Sequence, residues 1–260
     1  MHFFSTKILY IAYAISLVSV LFVNVSYAQE ITDENLIFLR EIPHSEEAFT
    51  QGLEVDDLGM LIESTGQYGR SSLRKVNSLT GAIEIIRPIQ PTFFAEGLTR
   101  INGKIFLATW RNGLILEFDE SSYNLESSLR FDGEGWGLTN NGVEIILSDG
   151  SDVLKFYNPD GMRLVRSISV REQGQTIGNV NELEYINGEI WANLWHEDDV
   201  IRIDPDTGNV IQRFRPSKLL PRNLRSSEAV FNGIAYDSRQ KLIYLTGKYW
   251  PSYYIYQLVQ

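Results

Sequence analysis

The sequence predicts an all-β protein, a five-bladed β-propeller closed by an N-terminal strand that completes the last blade. Three observations point there. First, Phe94-Ala95-Glu96-Gly97-Leu98-Thr99 has four weaker copies: Phe49-Thr50-Gln51-Gly52-Leu53-Glu54, Glu134-Gly135-Trp136-Gly137-Leu138-Thr139, Asn181-Glu182-Leu183-Glu184 and Phe231-Asn232-Gly233-Ile234-Ala235. Aligned on Gly52, Gly97, Gly137, Leu183 and Gly233, the copies recur every 40 to 50 residues, a period that marks propellers. Second, turn residues and short strand-like runs follow each copy, and no long amphipathic helix competes. Third, one strand-like run, Leu36–Ile42, precedes the first copy and has no repeat of its own.

Taken in order, each repeat opens on the motif and turns at Asp56-Asp57-Leu58-Gly59, Asn102-Gly103, Asn140-Asn141-Gly142 or Asn187-Gly188. Asn-Gly is a strong hairpin signal because both residues tolerate positive φ. Second strands are expected at Met60–Glu63, Lys104–Thr109, Val143–Leu147, Glu189–Asn193 and Lys241–Leu245. Third strands follow at Ser72–Val76, Leu114–Phe118, Val153–Tyr157, Val200–Ile203 and Tyr253–Leu258. Most of these end in β-turn clusters such as Asn158-Pro159-Asp160-Gly161. Four repeats carry a fourth strand: Ile83–Arg87, Glu126–Phe131, Leu164–Val170 and Val210–Phe214. The fifth has none, so Leu36–Ile42 is assigned to it; this joins the ends of the ring and covers an edge that would otherwise be open. Ser217–Ala229 reads as a loop or short helix crossing one face.

Residues 1–28 stand apart. Lys7, an apolar run from Ile8 to Val25, and small residues at alternate positions in Ser26-Tyr27-Ala28 read as a secretory signal segment cut after Ala28. The runner-up is an uncleaved anchor. This reading leaves one domain over 29–260, secreted or periplasmic. The absence of cysteine excludes disulfides, thiolate metal sites and a cysteine nucleophile. A net charge of −10 argues against nucleic acid or an anionic membrane as partner.

In a propeller, the residues before the aligned positions face a shared centre, and the ends of the second strands share one rim. The central set is Gln51, Glu96, Trp136, Glu182 and Asn232. Rim positions bring Trp110, Trp195 and Trp250, with Trp191 in a blade core. Tryptophans on a rim beside glycines and carboxylates line a pocket; the competing reading is packing between blades, and for Trp250 the two are balanced. Glu96, walled by aromatic residues, has two readings of equal weight. Its pKa is raised toward the range of proton transfer, or it is a structural carboxylate holding backbone amides. Glu182 and Glu184 are read as structural. Of three histidines, His2 belongs to the signal segment. His196-Glu197-Asp198-Asp199 is read as a solvated turn, since no zinc-ligand spacing accompanies it.

These strings together resemble one family, the plant and bacterial type of glutaminyl-peptide cyclotransferase. The resemblance rests on Phe49-Thr50-Gln51-Gly52-Leu53, on Glu63 to Ser72, on Phe94 to Thr99, on Gly135-Trp136-Gly137-Leu138, on Ser148-Asp149-Gly150, on Asn181 to Asn193, on Asn232 to Ala235 and on Thr246 to Pro251. They run in the same order from about residue 40 to the end. The resemblance implies a five-bladed propeller with Glu96 as catalytic acid/base. It implies a substrate pocket of Phe49, Gln51, Phe94, Trp110, Trp136, Asn181, Trp195 and Lys248. No cofactor or catalytic metal is required, with room left for a structural calcium ion. The substrate class is peptides or proteins with N-terminal glutamine, handled by a monomer that makes no stable membrane contact once the signal is cut. One departure is Glu134, where the pattern calls for a small or neutral residue. Two other classes stay open: a propeller that binds peptide amino termini without catalysis, and a calcium-dependent, lactonase-like hydrolase using Glu96, Glu182, Asn181 and Asn232.

Overall fold

Turn chemistry fixes the blades locally. Asn102 and Gly103 have φ of 56° and 75°, and Asn187 and Gly188 have φ of 51° and 93°. Both central residues of a tight two-residue hairpin must be left-handed to match the twist of its strands. Ile101 accordingly pairs with Lys104, and Ile186 with Glu189. The computed structural model describes residues 35–259. The signal segment read over residues 1–28 lies outside the described residues.

Each repeat is one antiparallel four-stranded sheet. Blade one comprises Thr50–Val55, Leu61–Thr65, Ser72–Val76 and Ile83–Pro88. Blade two comprises Ala95–Ile101, Lys104–Thr109, Leu114–Asp119 and Leu125–Arg130. Blade three has shorter inner strands, Leu138–Asn140 and Ile145–Leu147, then Val153–Asn158 and Arg163–Ser169. Blade four comprises Val180–Ile186, Glu189–Leu194, Val200–Ile203 and Val210–Phe214. Blade five takes Phe231–Asp237, Leu242–Gly247 and Ser252–Leu258, and its outer strand is Leu36–Pro43. That strand runs antiparallel to Ser252–Leu258, with Leu36 opposite Leu258 and Pro43 opposite Ser252. One feature went unanticipated, a small hairpin of Arg171–Glu172 with Gln175–Thr176; the crossing segment, read as a loop or short helix, carries a single 3-10 turn at Arg222–Leu224.

The core is five interblade layers. Leu53, Leu61 and Val76 pack against Ala235, Tyr244 and Ile255 between blades one and five, with Ile42 joining them. Leu73 meets Leu98 and Leu107 between blades one and two. Phe106 and Ala108 meet Leu138 and Leu147 between two and three. Leu154 and Phe156 meet Leu183 and Ala192 between three and four. Trp191 and Phe214 meet Ile234, Ile243 and Tyr254 between four and five. Each fully buried Leu or Ile contributes about 1.5–3 kcal/mol, so the layers hold the blades face to face. Trp191 is therefore a core residue, as expected. Trp250 also resolves to packing: it is fully buried, stacked on Phe231 at 5.7 Å, and its indole donates to the Ala229 carbonyl at 2.9 Å.

At the axis the inner strands meet backbone to backbone. A Cβ on Gly137 would stand 2.0 Å from the Asn181 carbonyl oxygen, and one on Gly97 would stand 2.4 Å from the Leu138 nitrogen. Pairing also corrects the repeat alignment in blade four. The inner strands enter at Thr50–Thr65, Ala95–Thr109, Val180–Leu194 and Phe231–Gly247, each followed by a bulge. Two residues on stand Gly52, Gly97, Glu182 and Gly233. Glu182, not Leu183, therefore occupies the glycine position, and Asn181 joins Gln51, Glu96, Trp136 and Asn232. A carboxylate on either side of Leu183 had drawn the alignment one residue late.

Glu182 turns that position to use. Its carboxylate accepts the Ile234 amide at 2.9 Å and the Leu53 amide at 3.3 Å, tying blade four to blades five and one. Glu184 accepts the Tyr236 amide and Glu54 the Arg100 amide, each at 2.9 Å. Burial raises the carboxyls of Glu182 and Glu184 well above their ordinary value, and it pushes Glu54 up to about 7. A second tie crosses the seam between blades five and one. The buried His44 ring lies 2.8 Å from Glu63 Oε1 and 2.7 Å from the Trp250 carbonyl oxygen, and Thr50 donates to Glu63 at 2.7 Å. Burial pushes the Glu63 carboxyl up, but His44, Arg74 and Thr50 outweigh it and hold it below the ordinary value.

Two outcomes are expected in thermal melts. Gly137→Ala forces a methyl into a neighbouring backbone and destabilises the ring by about 1–3 kcal/mol or more; an unchanged Tm would show that the inner strands can spread. Deleting residues 36–43 exposes the edge of Ser252–Leu258. It lowers Tm and promotes association on size exclusion. A truncated protein that melts like the parent and stays unassociated would show that closure contributes little.

Candidate active site

The site forms where the inner strands start and the second strands end. Inner-strand starts supply Phe49, Gln51, Phe94, Glu96, Trp136 and Asn181, and second-strand ends supply Trp110, Trp195 and Lys248. All nine line one cavity of about 420 Å³. Gln67, His196, Ser227, Glu228 and Val230 line it too and were not among the expected residues. Gln67 lies inside a motif string and carries a φ of 95°, a strain that sequence does not show. His196 follows Trp195 with its ring 4.3 Å away. Ser227 and Glu228 come from the crossing segment and Val230 lies just after it, where no repeat places them.

Aromatic rings make the walls. Phe49 and Phe94 meet edge to face at 5.8 Å, Phe94 and Trp110 at 5.5 Å, and Trp136 and Trp195 at 5.6 Å. Spacing these rings takes room: a Cβ on Gly66 would lie 2.2 Å from the Phe94 ring, and one on Gly150 2.7 Å from the Trp136 ring. The indole nitrogens of Trp110 and Trp136 both donate to Glu134, at 2.8 and 3.2 Å. Below the rings, Asn232 organises two amides. It accepts the Asn181 amide N–H at 2.7 Å and donates to the Thr50 carbonyl at 2.9 Å and to Gln51 Oε1 at 3.4 Å. Among the described residues no hydrogen bond occupies the side-chain oxygen Oδ1 of Asn181 or the Gln51 amide nitrogen, which are left to meet a ligand.

Two opposite charges sit in this apolar setting. Glu96 is 5% exposed, and among the described residues no hydrogen bond is given to its carboxylate. Its backbone is held firmly, since Ser64 donates to the Glu96 carbonyl at 2.6 Å. Burial raises its carboxyl well above the ordinary value; Lys248 opposes the rise and Glu134 adds to it. Lys248, also 5% exposed, lies with its Nζ 4.5 Å from the Phe49 ring centroid. Burial pushes its pKa down to about 8, against the pull of Glu96 and Glu228. A carboxyl that burial raises and an amine that burial lowers, both in one cavity, mark a site suited to proton transfer.

The donor set bears on the ion-binding reading. The Glu182 carboxylate is committed to two backbone amides, and Asn232 to Thr50, Gln51 and Asn181. Among the described residues, no group of three or more His, Cys, Asp or Glu is placed to hold a metal ion.

Known proteins match this arrangement. A family model described as glutamine cyclotransferase matches residues 11–258. A glutaminyl-peptide cyclotransferase of Arabidopsis thaliana is 38% identical over 224 residues, spanning 85% of this chain and 70% of that protein. The crystal structure of Myxococcus xanthus glutaminyl cyclase superposes with a TM-score of 0.80 at 35% identity, covering 89% of this chain and 99% of that one. With one family matched across nearly its whole length and a propeller shared with a solved member, the chain belongs to the glutamine cyclotransferase family.

Proposed function

We propose that Glu96 carries the proton in the reaction this chain catalyses, the conversion of N-terminal glutamine in peptides and proteins to pyroglutamate with release of ammonia. The α-amine attacks the side-chain amide carbon. A C–N bond forms to close a five-membered ring, and the bond to the amide nitrogen breaks. The amine must lose a proton to attack, and the leaving nitrogen must gain one. One carboxyl group does both in turn. The observation that carries this reading is the setting of Glu96: buried, free of hydrogen bonds from the described residues, and raised by burial well above the ordinary carboxylate value.

The other residues divide the remaining tasks. Phe49, Phe94, Trp110, Trp136 and Trp195 exclude water and keep the glutamine side chain curled onto its own amine, which reduces the entropic cost of ring closure. The side-chain oxygen Oδ1 of Asn181 receives the substrate ammonium. Lys248 and the Gln51 amide donate to the oxygen on which negative charge develops. Peptide beyond the first residue lies outside the cavity, so sequence preference downstream is loose. We further propose that no metal takes part. From residues 1–28 we infer cleavage after Ala28 and a secreted or periplasmic monomer, with 29–260 as a single catalytic domain.

The decisive experiment incubates residues 29–260 with a glutaminyl dipeptide and measures ammonia, before and after dialysis against a strong chelator. Activity is expected in both; activity that disappears and returns with a divalent ion would overturn the metal-free mechanism. Glu96→Gln is expected to lose at least about 10²-fold in kcat with an unchanged Tm, since an amide does not shuttle a proton. Turnover near that of the parent would remove Glu96 from its role. Lys248→Met is expected to lower kcat by about 10²–10³, the usual loss for an oxyanion donor. In the parent, the ammonium of Lys248 is present below its pKa of about 8 and lost above it. Activity therefore declines as pH rises past that value, and a rate still climbing well above it would exclude the charged lysine.

A further inference from the structure

We propose that Glu134, which does not line the cavity, is a positioning residue of the active site: one of its carboxylate oxygens joins the two halves of the aromatic wall. The inference rests on the reading of Glu96 as proton carrier.

The ring contacts divide into two groups. Phe49, Phe94 and Trp110 form one chain of edge-to-face pairs, and Trp136 and Trp195 form another. Among the described residues no ring contact joins Trp110 to Trp136. Glu134 does so through a single oxygen. Its Oε2 accepts the Trp110 indole N–H at 2.8 Å and the Trp136 indole N–H at 3.2 Å. The two tryptophans belong to different blades, one past the end of Lys104–Thr109 and the other just before Leu138–Asn140. An indole has one donor and no acceptor, so neither ring turns without losing its only hydrogen bond. The other Glu134 oxygen accepts from Arg111 Nε at 3.2 Å, and the Arg111 guanidinium lies 3.8 Å from the Trp110 ring centroid. The carboxylate, two indoles and guanidinium thus form one unit behind the cavity.

The charge of Glu134 also acts on Glu96, whose carboxyl it helps raise. The other charged or titratable groups around this unit are Lys248, Glu228 and His196 in the cavity, Arg111 beside Glu134, and the Asp149–Lys155 pair at 2.8 Å behind Trp136. Arg111 has a side chain 61% exposed, so solvent screens its compensation of Glu134.

The two effects separate by substitution. Glu134→Gln keeps the reach and one acceptor oxygen and drops the charge. Glu134→Asp keeps the charge and shortens the reach. Glu134→Ala removes both. The measurements are kcat and KM for a glutaminyl dipeptide across pH, melting temperature, and the indole N–H signals of the tryptophans by 15N NMR, assigned with single Trp→Phe variants. Glu134→Asp is expected to shift the Trp110 and Trp136 signals and to lower kcat about tenfold or more, as misplacement of a substrate-holding wall does, with the acid limb of the pH profile in place. Glu134→Gln is expected to keep most of kcat and move the acid limb to lower pH, because loss of a neighbouring negative charge makes Glu96 easier to ionise. Glu134→Ala is expected to show both changes.

Indole signals unmoved in Glu134→Ala, or kcat within twofold of the parent in both Ala and Asp variants, would overturn the positioning role. An acid limb unmoved in Glu134→Gln would overturn the electrostatic one. If Glu134→Ala fails to fold, the near-isosteric Gln and the Asp variants still decide both points. A parent enzyme that releases no ammonia would instead overturn the reading of the reaction, while the indole signals would still test the clamp.

Discussion

The contact of inner strands at the propeller axis, backbone against backbone, is the constraint on which the rest depends. At Gly97 and Gly137 a methyl group would enter a neighbouring main chain. Blade four departs from this rule with Glu182, whose carboxylate reaches across the axis to amides of blades five and one. The close approach draws the residue just before each of these positions into one ring: Gln51, Glu96, Trp136, Asn181 and Asn232. The floor of the active site is therefore a by-product of how five sheets close around a common line. Its side chains are positioned by strands that have little freedom to move.

That rigidity permits an unfavourable arrangement of charge. An ionised carboxylate in a cavity walled by aromatic rings loses hydration, and Glu96 has no hydrogen bond from the described residues to replace it. In a looser structure such a group would turn toward solvent or recruit a donor. Here its backbone is fixed by Ser64 and by the hydrogen bond from the Gly97 amide to the Trp136 carbonyl. Lys248 lies in the same cavity and is driven in the opposite direction by the same burial. Burial thus raises the carboxyl and lowers the amine within one cavity. The axial carboxylates Glu182 and Glu184 are also raised by burial, but each is tied to backbone amides. Burial alone does not distinguish Glu96 from these two carboxylates; the hydrogen-bond partners do.

Much of this was legible in the sequence because propellers repeat. The period of the motif, the Asn-Gly turns and the unassigned strand Leu36–Ile42 led to five sheets. The resemblance to the cyclotransferases named nine residues that the structure brings to one cavity. What was not legible lay where the repeat breaks. Ser227, Glu228 and Val230 come from a segment with no counterpart in the other blades. Asn181 and Glu182 were offset by one residue in the repeat alignment because blade four has Glu182 where the other blades have glycine, and only strand pairing shows the equivalence. For Trp250 the sequence left pocket and packing balanced, and stacking on Phe231 placed it in the core.

Sequence alone determined the architecture and the reaction class, since both follow from local signals: turn residues, alternation, repeat period and family strings. Only the tertiary structure decided which carboxylates are held by amides and which are not, because that depends on strands far apart in the chain. Glu96 and Glu182 differ little as residues in a motif. Leu53 and Ile234 come within hydrogen-bond distance of one of them, and aromatic rings surround the other. Glu134 is the same lesson in reverse. In sequence it was an odd charge beside a tryptophan; in space its one oxygen meets two indoles from neighbouring blades. Such a coincidence arises from the geometry of packed sheets, which no single stretch of chain encodes.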